Sequence, residues 1–133
     1  MIERVSHKGV LIAVLIRNDF EGSGVNFVSE PDFPLQVAVS FYEKGKIIKP
    51  HVHMPRNIEI SQVQEVVFMQ SGKARITLYS EVGEKFKVLD VNGGDIIFFV
   101  SGGHGIEMLE DTKLSEVKQG PYAGKENDKK MLE

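Results

Sequence analysis

Short runs of β-branched, aliphatic and aromatic residues recur along this chain roughly every ten residues, each closed by Gly, Asn, Asp or Pro. That rhythm admits few folds. The runs are too short for helices that bury a face, and they suit pleated strands. Val10–Ile16 is a continuous apolar run flanked by Gly9 and by Asn18-Asp19, and residues 35–42 form another. Residues 65–70 and Lys73–Tyr79 bracket Ser71-Gly72 as a hairpin. Residues 86–89, 95–100, 105–109 and 114–118 continue the series. Glycines within 21–24, then Pro31, Pro34 and the stretch 43–45, supply turns between the earlier runs. No helical period of useful length intervenes. The strongly charged tail, residues 125–133, is expected to be peripheral or frayed. The expectation is an all-β antiparallel sandwich or barrel, with residues 1–133 as a single domain.

Composition narrows the function classes. Sixteen basic and nineteen acidic residues leave a formal charge of -3, which argues against general affinity for nucleic acid or anionic membrane. There is no cysteine, so disulfides, thiolate ligands and cysteine nucleophiles are excluded. The run Val10–Ile16 is too short to span a bilayer and lacks the small-residue cleavage pattern of a signal peptide. A soluble, cytoplasmic domain is expected.

The chemistry lies in the histidines. Three of the four, His51, His53 and His104, fall in patterned stretches. Placed on a strand, His51 and His53 point to the same face, because side chains alternate with period two. Gly45 precedes His51 by five intervening residues, and Glu65 is followed by six residues and Gly72. Gly94-Asp95, the apolar run to Val100, then Gly102 and His104 form a second pattern. Imidazoles with a carboxylate suit first-row divalent ions.

These two patterns resemble the paired motifs of the cupin superfamily, and residues 103–107 and 116–122 resemble segments of its small single-domain bacterial metalloproteins. In the paired motifs the resemblance covers residues 45–108, about half of the chain. It implies a jelly-roll barrel (double-stranded β-helix) and makes His51, His53, Glu65 and His104 ligands of one divalent transition metal: Fe, Mn, Ni, Co or Zn. The gap between His53 and Glu65 is longer than usual for that family, so Glu59 stands as a rival carboxylate. Glu65 is preferred because it runs directly into a strand, turn and strand. Val100 also replaces the usual Pro of the second motif.

A fold of this kind hosts several reactions. The leading expectation is a metal-dependent enzyme, such as an isomerase, acting on a small polar metabolite. A sugar or sugar derivative is favoured, with the metal as Lewis acid. An iron-dependent dioxygenase and a non-catalytic small-molecule-binding module are the alternatives. Glu107 is the candidate for moving a proton, and Arg56, Lys118 and Tyr122 are candidates for binding the ligand. Residues 54–64 are expected to border the pocket. His7 reads as a surface residue, and Asp95 as a turn-forming side chain rather than an acid catalyst. The Gly-rich stretch at 102–105 lacks a P-loop lysine and a following helix, so it is no phosphate loop. Strands apolar on both faces suggest burial beyond one sandwich, and hence a homodimer.

Overall fold

The computed structural model describes residues 1–133. Ten strands and one short helix follow in order: β1 (Ile2–His7), β2 (Val10–Ile16), β3 (Gly24–Phe27), β4 (Ala38–Phe41), β5 (Glu65–Ser71), β6 (Lys73–Tyr79), β7 (Lys85–Asn92), β8 (Ile96–Phe99), β9 (Gly103–Met108), β10 (Lys113–Lys118) and α1 (Lys125–Asp128). They form a five-stranded sheet ordered β1-β2-β8-β5-β10, a three-stranded sheet ordered β7-β6-β9 and the ribbon β3-β4. Every pairing is antiparallel, and no sheet closes on itself. No helix is long and apolar enough to cross a membrane.

Strand phase builds the core. Ile12 and Leu15 of β2, Val67 and Met69 of β5, and Ile97 and Phe99 of β8 meet Ala74, Ile76 and Leu78 of β6. The two larger sheets therefore pack face to face. The opposite face of the five-stranded sheet carries Val14, Ile16, Phe98 and Val100, covered by Val28, Phe20, Phe33, Leu35, Val37 and Val39. This explains why Val10–Ile16 and Ile96–Phe99 are apolar on both faces. The cover comes from residues 20–39 of the same chain, so the strand pattern alone no longer calls for a partner subunit.

The tight turns follow local rules. Gly72 joins β5 to β6 at φ +93°, a left-handed conformation that costs glycine little. A Cβ there would press on the Asp111 carbonyl and on Thr112 Cα, so the position has no room for a side chain. Asp95 behaves as a turn former. Its buried carboxylate accepts hydrogen bonds from Asn92 N (2.8 Å), Asn18 N (2.9 Å) and Arg17 Nη1 (3.1 Å).

Four expectations need correction. The runs on either side of Ser71-Gly72 do not pair as a hairpin, because β5 and β6 lie in different sheets, β5 beside β8 and β10 and β6 beside β7 and β9. Residues 47–53 are not a strand; residues 47–63 carry no regular structure and make no backbone-to-backbone hydrogen bond. Pro50 and Pro55 flank the histidines, and each lacks the N–H a ladder needs. The strand expected over 35–42 shrinks to Ala38–Phe41. His7 is half-buried, because it shares the inward phase of Val5 on β1, and its ring lies 4.6 Å from that of Phe86. The charged tail is peripheral, one of the two expected outcomes: α1 buries no residue, and the tail lies over the two larger sheets through Asp128 and Glu133.

Candidate functional site

Two of the patterned residues converge at one end of the space between the two larger sheets. Glu65 opens β5 in phase with Val67 and Met69, so its side chain faces that space. His104 is in phase with Ile106 on β9, and Ile106 packs on the same core. The His104 ring stacks on Phe99, with centroids 3.7 Å apart and planes 9° from parallel. Phe99 is in turn the cross-strand partner of Glu65. One aromatic ring thus sits between the strands that carry the carboxylate and the imidazole.

Both groups are perturbed. Surrounding protein strips hydration from the His104 imidazolium, and Lys129 and Lys118 repel it, lowering its pKa to about 4. The ring is therefore neutral at pH 7, with a lone pair free on one nitrogen. The residue as a whole is nonetheless exposed to solvent on β9, the outer strand of its sheet, and that exposure restores part of the lost hydration. Burial raises the Glu65 pKa, the Glu116 carboxylate adds to the rise, and Lys118 opposes it. Glu65 is half-buried and engages in no ion pair.

His51 and His53 stand elsewhere. Both are exposed on the irregular segment, with ring centroids 5.2 Å apart and planes at 73°. The His51 Nδ1–H donates to the Lys49 carbonyl at 2.8 Å, which leaves Nε2 as the lone-pair nitrogen. No three His, Asp or Glu side chains come together closely enough to hold a cation in this conformation.

The remaining candidates divide by location. Lys118 is the cross-strand partner of Glu65, and its ammonium lies 5.8 Å from the Tyr122 ring centroid, so both belong to the Glu65–His104 end. Glu107 does not. One residue out of phase with Ile106, it faces away from His104 and stands beside Arg75 on β6. Arg56 and Glu59 line a cleft of about 880 Å³ with Phe27, Asp32, Phe33 and Gln36. That cleft lies on the side of the five-stranded sheet covered by residues 20–39, away from His104. Residues 54–64 thus border a cleft, but one whose lining includes neither Glu65 nor His104.

Sequence reasoning missed the contribution of the tail. Asp128 accepts a hydrogen bond from Lys118 Nζ, and the charges of Asp128 and Lys129 both act on Glu65. The only signal in the sequence is a run of mixed charge, which reads equally well as a solvated end. Comparison of the chain with protein-family models, with curated proteins and with solved structures yields no match.

Proposed function

We propose that the chain is a cupin-like jelly-roll protein that binds one divalent transition metal and uses it on a small polar metabolite. The ligands would be His51, His53, Glu65 and His104. The observation that supports this reading is the placement of Glu65 and His104 at one end of the inter-sheet space, linked through Phe99 and both within reach of the Lys118 and Lys129 charges: a carboxylate without an ion pair, and an imidazole held neutral by its surroundings. Neutral imidazole and carboxylate are what a borderline divalent ion takes. His51 adds a matching feature, because its Nδ1–H donates to a backbone carbonyl and Nε2 is left free.

The reading requires residues 47–63 to move onto the Glu65–His104 end. Those residues form no ladder, so the move breaks no backbone pair and gives up one side-chain bond, from Gln62 Nε2 to the Val100 carbonyl at 2.8 Å. The chain from His53 to Glu65 reaches on the order of 40 Å when extended, ample for the move. When bound, the metal would act as a Lewis acid that polarises a carbonyl or holds two substrate oxygens. Lys118 and Tyr122 would orient the substrate by hydrogen bonding at the rim. Phe99 would exclude water from one face of the His104 ring. Glu107 takes no part, because it faces the other way.

Titration of chelator-stripped protein with Co²⁺ tests the proposal. One equivalent should bind and give a visible d–d spectrum. The His51→Ala/His53→Ala variant and His104→Ala should each lose that spectrum while keeping the fold. Unchanged stoichiometry in both variants would refute the site.

A further inference from the structure

We infer that Asp128 is a positioning residue: by holding the Lys118 ammonium group, it keeps the neighbouring Glu65 carboxylate unpaired and open to a ligand. The register of β5 and β10 sets Lys118 directly opposite Glu65. Leu114 packs on the core, and Glu116 and Lys118 follow it with period two, so Lys118 is on the same face as Glu65. Opposite charges placed so across two strands ordinarily pair. Here they do not. Lys118 Nζ donates to Asp128 Oδ2 and lies near the Tyr122 ring, and no ion pair reaches Glu65.

Asp128 can compete because residues 119–133 form a strap tied to both sheets. At its start, Gln119 Oε1 accepts the Gln64 N–H at 2.9 Å, beside Glu65 on the five-stranded sheet. At its end, Glu133 Oε1 accepts the Tyr79 hydroxyl at 3.1 Å, on the three-stranded sheet. Leu132 seats over two glycines. Its Cδ1 lies 2.7 Å from where a Cβ on Gly103 would stand, and its Cδ2 lies 3.4 Å from that position on Gly83. A side chain at Gly103 would lift Leu132 out of place. Asp128 and Lys129 fall between these anchors, where the strap passes from the strand of Lys118 to the strand of His104.

The diversion of Lys118 therefore depends on a docked strap. Release of the strap returns Lys118 to Glu65 and closes the carboxylate with an internal ion pair. This inference rests on the metal reading only for what Glu65 is kept open to; the unpaired state itself is a property of the metal-free protein.

Double-mutant cycles in full-length, chelator-treated protein test it. The cycle combines Glu65→Gln with Lys118→Gln, read as coupling in the urea unfolding constant, with and without Asp128→Asn. With Asp128 present the coupling should stay below about twofold, and with Asp128→Asn it should rise to roughly three- to fivefold. Equal coupling in both backgrounds overturns the inference. No residue of α1 is buried, so Asp128→Asn leaves the core intact. Leu132→Ser should raise the coupling as Asp128→Asn does, and wild-type coupling in that variant would refute the role of the strap. Co²⁺ titration then separates the two readings. Asp128→Asn should weaken Co²⁺ binding several-fold, and adding Lys118→Gln should restore it. If the cycles behave as expected while Co²⁺ affinity does not change, the diversion stands and the metal reading fails.

Discussion

Acidifying the metal-free protein from pH 7 to pH 4.5 should destabilise it through His104, and the sign follows from a folded pKa that lies below the unfolded one. In the folded chain the imidazole takes up its proton only near pH 4, against an ordinary value of 6.5. Between those limits the unfolded chain binds more protons than the folded one. Stability therefore falls as pH drops through that window, and the His104 contribution levels off below it. The full interval is worth about 3.4 kcal/mol at roughly 1.4 kcal/mol per pH unit. The exposure of His104 on the outer strand restores part of its hydration, which reduces the effect to about 1–2 kcal/mol. Glu65 runs in the opposite direction, because its raised folded pKa makes protonation below that value favour the fold. Comparison of wild type with His104→Gln removes that opposing contribution, which both proteins share. Urea unfolding in chelator at pH 7, 6, 5 and 4.5 is the assay. The variant loses the stack on Phe99 at every pH, so it should be the less stable protein at pH 7. The gap should then shift by about 1–2 kcal/mol in favour of the variant by pH 4.5. A gap constant to within about 0.3 kcal/mol would show that burial does not hold the ring neutral, and the electrostatic argument for the site would fall.

Asp95→Ala strands the backbone N–H groups of Asn18 and Asn92 and leaves the half-buried Arg17 guanidinium with only Glu3 and the Asp90 carbonyl, and should cost about 2–3 kcal/mol in thermal unfolding. Gly72→Ala should cost at least about 2 kcal/mol, because its φ is left-handed and its Cβ would meet Asp111 and Thr112 backbone; a neutral result would mean that the β5–β6 turn relaxes freely. Adding Co²⁺ should slow amide hydrogen exchange across residues 47–54 in the wild type and leave it unchanged in His51→Ala/His53→Ala; protection equal in both proteins would separate ordering of that segment from its histidines.

How far the sequence could be read depends on which properties are local. Strand phase is local. The alternation that places Glu65 with Val67 and Met69 can be read in seven residues, and the structure puts that set on one face. The two apolar faces of residues 95–100 are also visible in the sequence, but their cover is not, because what packs on Phe98 comes from a loop-rich stretch with little strand pattern; on residues 65–69 the second face stays partly open, with Phe68 exposed. The same distinction divides the site. Glu65 and His104 could be placed because each lies on a strand with an apolar neighbour two residues away. The same-face argument for His51 and His53 presupposed a strand that Pro50 and Pro55 interrupt, so sequence spacing alone could not fix their position. Asp128 could not be found at all. It acts through Lys118, ten residues earlier, by a strap whose helix buries nothing and whose anchor is a leucine over two glycines. Hydrophobic periodicity reports burial within an element, and this contact arises between elements that lack it. The electrostatics near Glu65 therefore depend on a non-local docking event, and a variant that frees the tail should alter the site without touching any residue in it.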